Sequence, residues 1–100
     1  MAIFLNGGNF LPTIQYGAAQ NVTVGASSVQ SSAVAAGTRL IRLCANVPCR
    51  VAIGSNPTAS ATSTLIPANS VEVVEIAGGH KVAVIQDSAG GTLSVTEAVV

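Results

Sequence analysis

Short runs of Val, Ile and Leu recur along the chain, each closed within a few residues by Gly, Pro, Asn or Ser. Apolar runs of that length, repeating about every 8–12 residues between turn signals, are the pattern of an antiparallel all-β domain. They predict eight strands, over residues 21–24, 27–34, 38–45, 49–54, 64–66, 71–76, 81–86 and 92–96. The last of these alternates most cleanly. Leu93 and Val95 belong to a core face, and Thr92, Ser94 and Thr96 to a face turned towards solvent or a neighbouring subunit. Helix is disfavoured, because no stretch of a dozen residues carries an i, i+3, i+4, i+7 apolar stripe free of Gly, Pro or β-branched clusters. Eight strands without helices predict an antiparallel β-sandwich, jelly-roll-like in its strand count.

The strands at 38–45 and 49–54 are separated by Asn46-Val47-Pro48 and are expected to form a hairpin. The register that keeps one face apolar sets Ala45 opposite Cys49, Leu43 opposite Val51 and Ile41 opposite Ile53. Cys44, Arg50, Arg42 and Ala52 then share the polar face. A slip of one residue would set Arg42 against Val51 and Leu43 against Arg50, which burial of one face forbids. On this register Cys44 and Cys49 point to opposite faces, so two free thiols are expected, with Cys49 in the core as a small hydrophobe. The pair also lacks the further ligands a structural zinc would need. Arg42 and Arg50 fall together on the outer face, with Arg39 just before them. Two readings stay open: a patch for an acidic partner surface, or cations neutralised by Glu72, Glu75 or Glu97 on an adjacent strand.

The first sixteen residues change the picture. They contain all three aromatic residues of the chain, Phe4, Phe10 and Tyr16, and no charge. A sandwich normally keeps its aromatics in the strands of its core. Residues 1–20 are therefore expected to form an extended N-terminal arm and residues 21–100 the sandwich. The arm either anchors in another subunit, where aromatics dominate interface energetics, or folds back to plug the open end of its own domain.

Only 8 per cent of the residues are charged, against about 25 in a typical domain, and the four cations balance the four anions. Nothing in that balance steers the chain to nucleic acid or to an anionic membrane. No apolar run reaches the ~18 residues of a membrane helix. The start lacks a basic n-region, so synthesis and folding in a cytosol are expected. A weakly charged surface favours association, which points to a homo-oligomer. The chain offers one His, one Asp and two Cys, little material for acid–base, nucleophilic or metal chemistry. His80 follows Gly78-Gly79 without a Cys, Asp or second His at motif spacing. No enzyme activity, cofactor, metal or small-molecule substrate is expected.

The series Gly54-Ser55-Asn56-Pro57-Thr58-Ala59, Leu65-Ile66-Pro67-Ala68, Lys81-Val82-Ala83-Val84-Ile85-Gln86 and Gly91-Thr92-Leu93-Ser94-Val95-Thr96-Glu97 resembles small β-sandwich virion proteins of tailed bacteriophages. These are head-decoration (cement) proteins and related head or tail-fibre modules. The resemblance spans roughly residues 20–97 and is one of strands and turns, without a chemical signature. It implies a structural virion protein, made in the host bacterial cytoplasm, that binds the outside of an assembled capsid through the major capsid protein and reinforces it. It also implies a trimer in preference to a dimer, since capsid lattices offer three-fold positions. The partner-binding residues expected are Phe4, Phe10, Tyr16, Arg39, Arg42 and Arg50. A host-recognition or carbohydrate-binding module of a phage fibre is the alternative, weakened by strands and connecting loops that contain no aromatic residue.

Overall fold

A computed structural model describes residues 14–99, together with the backbone of two short strands, β1 (Phe4–Leu5) and β2 (Asn9–Phe10). The described chain is all-β. The remaining strands are β3 (Gln15–Val24), β4 (Val29–Gln30), β5 (Leu40–Ala45), β6 (Cys49–Gly54), β7 (Thr64–Ile66), β8 (Glu72–Glu75), β9 (Lys81–Gln86) and β10 (Gly91–Val99). They form two four-stranded antiparallel sheets, one in the order β3-β10-β5-β8 and the other β4-β9-β6-β7. The eight strands expected from the apolar runs are all present, those at 49–54, 64–66 and 81–86 with the expected ends and the others with shifted ones. The strand expected at 21–24 reaches back to Gln15, that at 27–34 shrinks to Val29–Gln30, and that at 92–96 runs to Val99.

Alternation places the core between the sheets. Val22, Ile41, Leu43, Leu93 and Val95 face in from the first sheet, and Cys49, Val51, Val82 and Val84 from the second; all are buried. The hairpin expected between 38–45 and 49–54 does not form. β5 pairs with β10 and β8, whereas β6 pairs with β9 and β7, so Asn46-Val47-Pro48 is a corner between sheets. Long-range bonds hold that corner. Asn46 donates its N–H to the Thr92 carbonyl (3.2 Å) and accepts the Thr92 N–H on Oδ1 (2.8 Å), while Asp87 donates to the Pro48 carbonyl (3.3 Å). The inward set Ile41, Leu43, Ala45, Cys49 and Val51 is as expected, but its members meet across the core. A face set by burial survives a change of partner strand. Ile53 is the exception, 38% exposed at the open end of the sandwich.

Part of the outer face of the second sheet is covered, although Leu65 on it is exposed. Ala83 lies on it beside Ala52 and Gln30, yet is fully buried. Gln30 ties the loop after β6 across this face, donating from Nε2 to Asn56 Oδ1 (2.9 Å) and to the Pro57 carbonyl (2.8 Å). Ser28 Oγ accepts the N–H of buried Ala59 (2.9 Å) in the same loop. Among the described residues no such loop is tied across the outer face of the first sheet, which is the more open of the two, with Thr96 and Ala98 buried on it.

Candidate functional site

That open face carries Tyr16, Ala98, Thr96, Arg42 and Val73, in neighbouring positions across β3, β10, β5 and β8. Between Tyr16↔Ala98 and Ala19↔Thr96 the register shifts, because Gly17 and Ala18 of β3 oppose Glu97 alone. Such a bulge bends its strand and re-aims side chains near it. Tyr16 is 56% exposed, and the Arg42 guanidinium lies 5.7 Å from its ring centroid. At a surface, a cation over an aromatic face contributes about 0.5–1 kcal/mol. Leu40 and Val73 supply apolar surface on either side of Arg42, Leu40 half-buried and Val73 exposed.

At the end of the sandwich, a cleft of about 740 Å³ is walled by Leu40, Ile53, Ile76, Ala98 and Val99, with Arg39 and Glu75 also lining it. β3 starts at Gln15 opposite Val99, so the N-terminal segment joins the sandwich beside this cleft. β1 and β2 form a two-stranded sheet of their own, with Phe4 opposite Phe10 in the register. The side chains of Phe4 and Phe10, and the rest of residues 1–13, lie outside the described residues. Tyr16, expected on the arm, sits on a strand of the first sheet.

The three arginines are not brought together. Arg39 is at the end cleft and Arg42 on the outer face of the first sheet. Arg50 is on the outer face of the second, so the expected grouping of Arg42 with Arg50 is corrected by their division between sheets. Arg50 is held in place, its Nε donating to Asp87 Oδ1 (3.3 Å) and its Nη1 to the Ser63 carbonyl (3.1 Å). None of the three glutamates expected to neutralise these cations does so among the described residues. Glu97 instead shares the inward face with Ile41 and accepts hydrogen bonds from the Thr38 hydroxyl and the Ala35 N–H (3.4 Å).

Cys44 and Cys49 are free thiols, the first half-buried and the second fully buried. Burial pushes the Cys49 thiol pKa above its ordinary value, since the thiolate loses its hydration. No group of three or more His, Cys, Asp or Glu side chains that could hold a metal ion is present among the described residues. Nor is any helix there long and apolar enough to cross a membrane. What the geometry offers is contact surface: the Tyr16–Arg42 face and the adjoining cleft. Of their apolar members, Leu40 and Val73 were hidden in the sequence among the core runs, and Val99 lies beyond the last expected strand. Comparison of the chain with protein-family models, curated proteins and solved structures finds no match.

Proposed function

We infer that this chain is a structural virion protein that docks on the outside of an assembled phage capsid and stabilises it. The observation that carries the inference is the strand order. Chain-consecutive strands from β3 to β10 alternate between the sheets, except for β6 and β7, and β10 lies between β3 and β5. That order supports a reading as two interlocked Greek keys, the jelly-roll architecture that recurs in viral capsid and lectin domains. The near absence of charge supports the same reading, because repeated copies on a lattice then accumulate little repulsion. Docking uses the open face of the first sheet, where Tyr16 and Arg42 are of the residue types that dominate binding energy at interfaces. The mechanism is mass action: a ligand that binds only the assembled lattice stabilises it.

Co-sedimentation with expanded empty capsids tests this reading. The wild-type chain should pellet saturably with capsids, and Tyr16→Ala with Arg42→Ala should weaken the association at least tenfold while leaving the thermal midpoint within a few degrees. Saturable hits on a glycan array, with no capsid binding, would instead establish the carbohydrate-binding reading.

A further inference from the structure

The edge of the first sheet formed by β3 has a hydrogen-bonding pattern that can be worked out residue by residue. Thr92 of β10 sends both its backbone groups towards Asn46, its carbonyl accepting from Asn46 N–H and its N–H donating to Asn46 Oδ1. In an antiparallel ladder, opposed residues exchange both backbone bonds or neither. Thr92 is opposite Thr23, so Thr23 has its N–H and carbonyl directed away from β10. The register is continuous from Val24 back to Ala19, so Asn21 and Ala19 direct theirs the same way. Three residues with two groups each make a row of six outward donors and acceptors. No backbone or side-chain group among the described residues bonds to that row.

Natural sheets protect such edges with charges, proline, bulges or brevity. The other edges here follow that practice: β8 carries Glu72 and Glu75, both exposed, while β7 has three residues and β4 two. β3 has ten residues without a charge or a proline, and its bulge at Gly17-Ala18 leaves the stretch from Ala19 to Val24 regular. The outer-face side chains of that stretch, Ala19, Asn21 and Thr23, are small and exposed.

We propose that β3 pairs with β3 of a second copy of this chain, antiparallel and about a two-fold axis at Asn21. Self-pairing is favoured because the row is its own complement. Asn21 meets Asn21 of the second copy, and Ala19 meets Thr23 in both directions, so all six groups of each copy are bonded. This register also opposes residues of the same face, Gln20 to Val22, so the inner and outer faces continue across the junction. Two four-stranded sheets become one of eight, related by the isologous contact usual in dimers. The inference concerns the free protein and does not rest on capsid binding.

Charge reversal at the axis tests it, because only a self-opposed residue places identical charges face to face. By light scattering at micromolar concentration, the wild-type chain should have twice the 9.9 kDa mass of one chain. Asn21→Asp and Asn21→Lys should each raise the dimer dissociation constant more than tenfold, with cooperative melts showing that both remain folded. An equimolar mixture of the two should restore the dimer. A wild-type monomer overturns the proposal, as does the trimer that the phage resemblance implies. Single variants that stay dimeric, or folded variants whose mixture stays monomeric, also overturn it.

Discussion

Gly91 opens β10 where the corner between sheets presses on it. A Cβ there would stand 2.3 Å from Asn46 Oδ1 and 2.7 Å from a Val47 methyl carbon. Gly91→Ala must therefore push aside the Asn46 side chain that holds Thr92, at a cost of about 1–3 kcal/mol by the usual scale of overpacking. Gly25 has nothing within 4 Å of such a Cβ. Gly25→Ala should be neutral or stabilise by up to about 1 kcal/mol through the unfolded chain. Urea melts of the two variants beside wild type check the contrast. Cys49 makes a second prediction at this scale. Its thiol pKa is raised in the folded state, so the folded protein holds the proton to higher pH than the unfolded chain. Stability should be flat below the ordinary thiol pKa, about 8.5, and fall as the pH rises from there through the folded value. Replacing the thiol, as in Cys49→Ala, should remove that part of the alkaline slope in melts taken across the pH range. A maleimide should label Cys44 before Cys49 in the native protein and both in denaturant without prior reduction.

Strand positions were legible because each apolar run is closed by its own turn residues, and a period of two needs no knowledge of the neighbour strand. The partner of each strand was not. Asn46-Val47-Pro48 suits a three-residue hairpin loop by composition, and it serves as a corner because its backbone groups find Thr92 and Asp87. Both of those lie more than 35 residues further along the chain. The same blindness hid the first residues of β3. Gln15-Tyr16-Gly17-Ala18-Ala19-Gln20 has no apolar alternation and reads as an arm, yet pairs with the end of β10 across a bulge. The boundary relevant to truncation therefore falls before Gln15. Among the described residues the core begins at Val22, so removing residues 2–13 should leave a cooperative fold with a midpoint close to that of the full chain. Removing residues 2–17 also takes Gln15, Tyr16 and Gly17 from β3 and should lower the midpoint further. Circular-dichroism melts of both truncations decide the matter; an unfolded 2–13 truncation would mean that the segment completes the core by plugging the end cleft.

Over the whole molecule, the two sheets are held by apolar contact, with little help from charge. The ion pair present among the described residues is Arg50–Asp87, whose side chains are 27% and 37% exposed. Exposed pairs contribute about 0–1 kcal/mol and are screened by salt. The thermal midpoint should consequently change little between low and physiological NaCl. Leu43, by contrast, is 1% exposed at the centre of the packed layers. Leu43→Ala should cost about 2–5 kcal/mol, read as a loss of denaturation midpoint at unchanged slope.

Composition and alternation alone determined that this chain is all-β, where its eight principal strands fall, and that Ile41, Leu43, Ala45, Cys49, Val51, Leu93 and Val95 turn inward. Those properties follow from local steric preference and from the alternation of side chains along a strand. Tertiary structure alone decided that β5 and β6 belong to opposite sheets and that Arg42 and Arg50 are thereby separated. It also decided that Glu97 turns inward to Thr38 and that Tyr16 lies beside Arg42. Each of these depends on which distant strand supplies the hydrogen bonds of an edge. A pattern of period two specifies the face a residue takes and carries no record of the strand it will meet.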